Sequence, residues 1–379
     1  MNFFNPVHIT NKPGARLVLF EAVKNFKVLV ICSEQMKKRI SLDSLLKDFV
    51  SLPNLQFEHG FDSNPSLSDM SKIAEKYILK KIDLVLGIGG GSAMDVAKIT
   101  SVTIPALSKE IHISELLDDD SLFNKFEALD CILVPTTAGT GSEVTPFATV
   151  WDYDQKIKKS LSQTSMFAKK AIVDSEFLSN LPLDVALSTG LDALNQALES
   201  LWNVNANEIT RSLSVKAVVK SLNSFLFLDE LKDNKSLAKN MATASLLAGL
   251  SISHTRTAIC HSISYPLTLL FGIPHGLACG FSMLEVYNFN ADHIKEDIAY
   301  IEQQLNGKKI PDILDSIYEK YDFEKLIKQY IKHSDEVLDL LPQMMTPGRA
   351  DNNIRKFNQL EFENIVRNSC LRLSLETQN

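Results

Sequence analysis

The 379-residue sequence contains few cysteines and tryptophans, five of the first and two of the second. The cysteines are an odd number and no two of them stand in a CxxC spacing: Cys32, Cys131, Cys260, Cys279 and Cys370. This pattern argues against a disulfide framework and against a zinc site built from cysteines, and it predicts a reducing, cytoplasmic location. The amino terminus has no basic segment followed by an apolar one, so no signal peptide is expected.

No strong concentration of positive charge is present either. The 39 basic and 46 acidic residues give a net charge of -7, and the basic residues are scattered. Nucleic acid is therefore not an expected partner. Charged residues are absent from Thr257 to Leu284, which raises the question of a membrane helix. Because two histidines, two prolines and three glycines interrupt this stretch, we interpret it as a buried, polar-lined site and expect no membrane association.

The hydrophobic pattern changes near the middle of the chain. The first half alternates short β-branched runs with amphipathic segments, which is typical of a parallel sheet covered by helices, whereas helical patterns dominate after about Asp174. The segments that carry these patterns are strands at Phe26–Cys32, Ile82–Ile88 and Cys131–Pro135, and helices at Ser66–Lys80, Ser92–Val102, Ser212–Phe227 and Asn240–Ser253. The sequence therefore predicts an α/β domain over residues 1–175 and an all-helical domain over 176–379.

Two polar loops follow predicted strands. Gly89-Gly90-Gly91-Ser92 opens a helix, where glycines let the backbone approach a pyrophosphate and the helix amino terminus favours its charge. The GxGxxG fingerprint is not met because Ser92 stands where the third glycine would be, so a turn that binds nothing is the alternative. The second loop, residues 135–145, is dense in hydroxyls and glycines, and open α/β sheets bind ligands at such positions. Two such loops favour a cofactor crevice.

Two histidines and two polar residues of one helix suggest a metal site in the second half of the chain. His261 lies on a predicted helix, His275 lies at a Pro-His-Gly turn, and Asp192 and Gln196 are four residues apart on one helical face. One carboxylate, one amide and two imidazoles suit a divalent ion of the iron, zinc or manganese type. The alternative is a set of hydrogen-bonded polar groups in the core.

Taken together, the motifs resemble the iron-containing (group III) alcohol dehydrogenase family over nearly the whole chain. They occur in the family's order and spacing: Asn64-Pro65-Ser66, GIGGGSAMDVAK, PTTAGTGSEVT, GLDALNQALE, CHSISYP and GIPHG. The resemblance implies a Rossmann-like α/β domain that binds NAD(P)H, an all-helical domain, and a divalent metal, iron or zinc, in the cleft between them. It also implies dehydrogenase activity on a small alcohol or aldehyde and a homo-oligomer.

The resemblance further implies roles for individual residues. Asp192, His261 and His275 match three of the family's four metal ligands. The family usually has histidine at the position of Gln196, whose amide oxygen is a weaker ligand, so a loosely held ion, a different ion or a lost metal site are the alternatives. Lys159 is an alternative to Lys158 among the expected cofactor contacts, which are Ser33, Asn64, Gly90, Gly91, Ser92, Asp95, Thr136, Thr137, Thr140, Ser142 and Lys158.

Two further departures from the family concern proton transfer and the cofactor. Tyr265 replaces a histidine that the family often uses in proton relay, and we expect the proton to pass through Tyr265, a water or His254; a packing role for the tyrosine is the alternative. Members that prefer NAD often have aspartate at the position of Ser33, where it repels a 2′-phosphate. Serine removes that repulsion, so we expect NADPH to be accepted or preferred.

The substrate expectation depends on Arg256. This residue lies just before the helix of His261, where its charge suits an anionic aldehyde; a structural ion pair is the alternative. HSISYPLT followed by GIPHGLACGF is most similar to the branch that reduces phosphonoacetaldehyde to 2-hydroxyethylphosphonate, which implies phosphonate metabolism. Two other functions stay open: a glycerol-phosphate dehydrogenase-like enzyme, and a catalytically dead nucleotide-binding protein, the latter because of Gln196 and Tyr265.

Overall fold

The computed structural model describes residues 3–62, 64–153, 157–345 and 348–376. Two compact units make up the chain, and they divide between residues 179 and 180. The α/β unit comprises residues 4–137 and 141–179, and the helical unit comprises the chain from Asn180 onward together with Phe3 and the short loop Ala138–Thr140. A domain boundary after residue 175 stays a prediction, and no sequence pattern indicates that residues 138–140 group with the helices.

The α/β unit is built on a six-stranded parallel sheet, as the alternating pattern predicts. Its strands are β1 (His8–Asn11), β2 (Val28–Ile31), β3 (Leu55–Glu58), β4 (Leu84–Gly89), β5 (Asp130–Pro135), β6 (Phe147–Asp152), β7 (Ile157–Ser162) and β8 (Lys170–Val173). Its helices are α1 (Leu19–Val23), α2 (Glu34–Leu42), α3 (Lys47–Val50), α4 (Leu67–Tyr77), α5 (Gly91–Leu107) and α6 (Ile113–Asp118). The sheet order is β1-β8-β5-β4-β2-β3, and β6 and β7 form a separate antiparallel pair.

Local sequence explains where these elements begin and how deeply they are buried. All four residues of β2 and all six of β4 are buried, which fits the continuous apolar runs of a sheet covered on both faces. Helix α4 begins after Ser66, whose hydroxyl accepts from the Asp69 amide while the Asp69 carboxylate accepts from the Ser66 amide. Helix α5 runs five residues beyond the predicted end at Val102 and includes Pro105 in its last turn.

The helical unit carries the second half of the chain. Its helices are α7 (Leu183–Leu201), α8 (Glu208–Phe225), α9 (Lys235–Thr255), α10 (Ile259–Phe271), α11 (His275–Asn290), α12 (Lys295–Gln304), α13 (Ile310–Lys320), α14 (Phe323–Lys328), α15 (Ser334–Leu338), α16 (Leu341–Met344) and α17 (Gln359–Arg372). The uncharged stretch from Thr257 to Leu284 folds into α10 and part of α11, separated at Gly272, which has φ +71°. Within the described ranges, no helix has the length and apolar character that crossing a membrane requires.

Candidate functional sites

The glycine loop between β4 and α5 has the geometry of an anion-binding helix start. Gly90 is the N-cap residue of α5 and contributes no side chain there, so the first amides of this long helix are presented to the loop. A Cβ on Gly89 would lie 2.7 Å from the Cβ of Ala93, and one on Gly90 would lie 3.4 Å from Thr137 Oγ1. The loop at Gly90, Gly91 and Ser92 therefore fits a dinucleotide pyrophosphate.

The second polar loop is joined to the first through the backbone and through Asp95. The Thr136 amide donates to the Gly89 carbonyl at 2.9 Å. Asp95 accepts from Ser142 Oγ at 2.5 Å and from the Thr149 amide at 2.8 Å. Asp95 and Ser142, both expected as cofactor contacts, thus also hold the two loops in a fixed arrangement.

A buried lysine that no sequence pattern singled out also connects these two loops. Lys98 is fully buried on α5, and its Nζ donates to the Ser142 carbonyl at 3.0 Å and to Thr145 Oγ1 at 3.1 Å. The ammonium also lies 3.3 Å from Asp95 Oδ1. Burial lowers the pKa of Lys98, and the charge of Asp95 opposes that shift. The available signal was its spacing three residues after Asp95 on one helical face.

The other residues expected at the cofactor lie at several places in the fold. Ser33 is exposed at the start of α2, where its hydroxyl accepts from the Met36 amide at 3.1 Å. The Asn64 carbonyl accepts from Tyr153 at 3.0 Å. Lys158 Nζ lies 5.7 Å from the centre of the Trp151 ring, while Lys159 pairs with Asp152 at 3.3 Å. Thr140 belongs to the loop that groups with the helical unit.

In the helical unit, four potential metal ligands converge from three helices. Asp192 lies on α7, His261 on α10, and His275 and Cys279 on α11; one ligand atom from each lies within 4.8 Å of the others. His261 Nε2 is 3.3 Å from Asp192 Oδ1, and Cys279 Sγ is 3.9 Å from His275 Nε2. The structure thus brings together three predicted ligands. It places the predicted fourth, Gln196, beside Asp192, with Nε2 donating to Oδ1 at 3.0 Å.

Glu199 fixes the orientation of His261. Its carboxylate is fully buried and accepts from the His261 Nδ1–H at 2.7 Å and from the amides of Ala258 and His261 at 2.7 and 3.1 Å. Because the carboxylate is an acceptor, Nδ1 carries the proton and Nε2 faces Asp192. Carboxylates that orient ligand histidines in this way are typical of metal sites. Glu199 follows Asp192 by two helical turns, a spacing that could have revealed it.

The electrostatics of this cluster fit a divalent cation. Burial raises the pKa of Cys279, but the charges of His261 and His275 outweigh it and bring the value to about 7. Burial likewise opposes ionisation of Asp192, yet its hydrogen bond with His261 and the charge of His275 lower its pKa overall. A carboxylate, a readily ionised thiol and two imidazoles form a donor set that suits a first-row divalent metal.

Three further residues of the helical unit bear on the candidate site: Tyr265, Arg256 and Arg349. The Tyr265 ring is parallel to the His275 ring, with centroids 6.0 Å apart, and its hydroxyl accepts from Arg349 Nε at 3.3 Å. Arg256 ends α9 with φ +63°, and both burial and the charge of Arg349 lower its pKa to about 10. His254 stacks on Phe3 with centroids 4.1 Å apart and is not a member of the ligand group.

Comparison with known protein families decides what this arrangement belongs to. A family profile described as "Iron-containing alcohol dehydrogenase" matches residues 6–175, and one described as "Fe-containing alcohol dehydrogenase family, C-terminal" matches residues 186–367. The chain belongs to the iron-containing alcohol dehydrogenase family. This iron-type dehydrogenase is accordingly an NAD(P)-dependent oxidoreductase acting on CH–OH groups, and its family uses a divalent metal.

Curated relatives and solved structures agree with the family assignment. The NADPH-dependent butanol dehydrogenase of Clostridium saccharobutylicum is 28% identical over 91% of this chain and 92% of its own. A sulfoacetaldehyde reductase of Bilophila wadsworthia is 33% identical over 64% of this chain and 62% of its own, so less than two thirds of that relative is spanned.

Among solved structures, an iron-containing alcohol dehydrogenase superposes with a TM-score of 0.83 at 25% identity, covering 99% of both chains. A sulfoacetaldehyde reductase from Bifidobacterium kashiwanohense, solved with NAD+, gives a TM-score of 0.80 at 24% identity over 97% of this chain and 98% of its own, and shows the fold alone.

Sequence reasoning on this iron-type dehydrogenase missed three residues near the candidate metal ligands, namely Glu199, Cys279 and Arg349. Cys279 stands four residues after His275 on one helix, a visible spacing that a search for paired cysteines passes over. Arg349 is 84 residues from the tyrosine it contacts, and no local pattern indicates such a pairing.

Proposed function

We propose that this iron-type dehydrogenase reduces a small aldehyde that carries an anionic group, with phosphonoacetaldehyde as the foremost substrate and 2-hydroxyethylphosphonate as the product. One observation supports this substrate class above the others: two arginines lie near each other in this region, and burial together with the charge of Arg349 lowers the pKa of Arg256 to about 10. Arg349 in turn contacts Tyr265, whose ring stacks on the metal-site residue His275.

Two neighbouring guanidinium groups favour an oxyanion. Arg256 is half-buried, so the repulsion between the two cations is less screened than at an open surface. A phosphonate or sulfonate placed beside both would offset that repulsion and accept charge-assisted hydrogen bonds. A neutral aldehyde gains nothing from the pair. The name of the Bilophila wadsworthia relative, a sulfoacetaldehyde reductase, supports the same class of substrate.

Different residues of the helical unit have different roles in the proposed reduction. Asp192, His261 and His275 would hold a divalent metal, which when bound polarises the carbonyl oxygen, while NAD(P)H supplies the hydride. Glu199 keeps the His261 ring oriented, and the arginines bind and orient the anionic end of the substrate. We propose that Tyr265, whose hydroxyl oxygen accepts a hydrogen bond from Arg349, donates a proton to the product alkoxide.

The start of α2 supports use of NADPH. Ser33 leaves no carboxylate at this exposed position, and Lys37 lies one turn later with its Nζ 4.7 Å from the centre of the Phe57 ring. A 2′-phosphate beside Ser33 would meet the positive dipole end of α2 and the ammonium of Lys37, and these attractions oppose the charge of Glu34 in the first turn. We therefore propose that NADPH serves as a cofactor alongside NADH.

Steady-state kinetics of Arg256→Ala test the proposal, with NADPH and NADH each assayed. Loss of a charge-assisted contact is worth about 1.5–3 kcal/mol, so we expect KM for phosphonoacetaldehyde to rise about 10- to 150-fold. KM for butyraldehyde should change less than about twofold, because no anion is lost. Arg367→Ala, at an exposed i,i+4 pair with Glu363 on α17, is the matched control and should change neither KM.

The outcomes separate the alternatives. Equal effects of Arg256→Ala on both aldehydes would contradict the anion-binding role. A preference of the wild-type enzyme for sulfoacetaldehyde over phosphonoacetaldehyde would keep the role of Arg256 and replace the phosphonate. Absence of turnover with any aldehyde would overturn the reductase assignment itself.

A further inference from the structure

We propose that Cys279 supplies the fourth protein ligand of the metal site in place of Gln196, giving a donor set of one carboxylate, two imidazoles and one thiolate. The inference concerns the metal alone and does not depend on which aldehyde is reduced. It also differs from the sequence-based expectation, which places Gln196 in the ligand set with Asp192, His261 and His275.

The distances are those of a nearly formed four-coordinate site. Metal bonds of about 2.0–2.3 Å place tetrahedral ligand atoms about 3.3–3.6 Å apart. Here His261 Nε2 and Asp192 Oδ1 are 3.3 Å apart, Cys279 Sγ and His275 Nε2 are 3.9 Å apart, and no pair in the group exceeds 4.8 Å. Small side-chain rotations would bring all four atoms onto one ion.

The scaffold holds the thiol in this position. His275 and Cys279 are four residues apart on α11, so their side chains project from the same helical face. Cys279 is fully buried, and Gly276 between them brings α11 so close to α7 that a Cβ there would lie 1.7 Å from the Ser188 carbonyl oxygen. The helix that carries the thiol is thus fixed against the helix that carries Asp192.

Gln196 has a different role in the same cluster. Its Nε2 donates to Asp192 Oδ1 at 3.0 Å, and its Oε1 is buried with no hydrogen-bond partner among the described residues. In this orientation the amide nitrogen, which is a hydrogen-bond donor and not a metal ligand, is the atom of Gln196 that faces Asp192 Oδ1. Gln196 therefore positions Asp192 as a neighbouring hydrogen-bond donor, and the coordination is completed from α11.

A thiolate ligand changes the metal preference. Sulfur is a soft donor that favours zinc or cobalt over manganese or magnesium, which prefer oxygen. The same ligand gives a direct spectroscopic signature, because cobalt bound to a thiolate shows a sulfur-to-metal charge-transfer absorption in the near ultraviolet. This readout reports the ligand itself and needs no catalytic turnover.

The experiment titrates metal-free, full-length protein with Co2+ while absorption is recorded. Wild type should develop the charge-transfer band at one equivalent, and Cys279→Ser should lose it. Its affinity for Co2+ and Zn2+ should fall at least about tenfold, since even residues that only support metal ligands contribute 10- to 100-fold. Cys260→Ser removes a fully buried thiol next to His261 that is outside the ligand group, and should keep the band. Gln196→Ala should keep it too.

A double variant, Gln196→His with Cys279→Ser, distinguishes loss of a metal ligand in the single variant from misfolding. It should recover metal affinity without the near-ultraviolet band, which would show that the single variant lost a ligand. A wild-type protein that binds one cobalt without the band, or a Cys279→Ser variant that keeps it, would overturn the inference. If aldehyde reduction with its Arg256 dependence persisted in that case, the proposed function would stand and the sulfur ligand alone would be wrong.

Discussion

At the scale of single residues, two buried ionisable side chains, Lys98 on α5 and Glu143 in the loop after β5, differ in how their charge is compensated. Lys98 Nζ is surrounded by acceptors from Ser142 and Thr145. Glu143 is 2% exposed, and its Oε2 has no hydrogen-bond partner among the described residues. Burial raises the pKa of Glu143 to about 7, against the opposing effects of its own backbone amide and the charge of Lys98. The folded α/β unit thus prefers Glu143 with its proton.

Glu143→Gln should therefore remove a pH dependence of stability. The pKa of Glu143 is higher in the folded state than its unfolded value near 4.5, so the folded state is most stable when this carboxyl is protonated. This stabilisation is fully present below about pH 4.5 and is lost as pH rises through 7. The shift corresponds to about 3 kcal/mol. Hydrogen exchange of the α/β unit at pH 5 and pH 8, corrected for the intrinsic rate, measures it. Wild type should lose most of this amount between the two values and the variant should not. Glu75→Gln, at an exposed position on α4, should behave like wild type.

At the scale of elements, the contact between α7 and α11 sets the relative positions of the candidate metal ligands on these two helices. A Cβ on Gly276 would meet the Ser188 backbone carbonyl at 1.7 Å, which a side-chain rotation cannot relieve. A Cβ on Gly280 of the same helix would lie 3.0 Å from the Phe323 ring, a much less severe approach and one to a side chain instead of the backbone. The two glycines thus offer a matched pair of substitutions on one helix.

Gly276→Ala should move α11 away from α7 and carry His275 and Cys279 with it. We expect retained Zn2+ after dialysis to fall to a small fraction of an equivalent, with a lower melting temperature, because misplaced ligands lose coordination. Gly280→Ala should retain near-stoichiometric metal. Elemental analysis and circular dichroism measure both effects, and similar metal contents in the two variants would argue against this helix contact as the determinant.

Elements also show how far sequence could predict this molecule. The strands around Val30 and Leu86 and the helix after Ser66 are recoverable because apolar periodicity and capping are local signals. That His261 and His275 lie together as metal ligands was predicted from the resemblance to a family, because their spacing in the sequence is equally consistent with hydrogen-bonded histidines in the core. The places of Cys279 and Arg349 depend on how helices pack, which the sequence does not encode locally.

At the scale of the whole molecule, the two candidate sites lie in different units. The glycine loop belongs to the α/β unit, and the four-residue ligand group belongs to the helical unit. A ligand that binds only the folded form stabilises the part that holds it, by about 2.7 kcal/mol at a concentration one hundred times its dissociation constant. Metal and cofactor should therefore protect different segments of the chain.

Chelation followed by hydrogen exchange mass spectrometry tests this separation. Removing the metal should lower protection in α7, α10 and α11, because Asp192, His261 and His275 lose a shared partner in a buried place. Protection of β4 and β5 should change little. Adding NADPH to the metal-free protein should raise protection at Gly90 and Gly91 without restoring α10. Re-adding Zn2+ is the control and should return the helices to their original protection. Equal loss in the sheet and in the helices on chelation would mean that the two units open together, and that the metal supports the molecule as one cooperative structure.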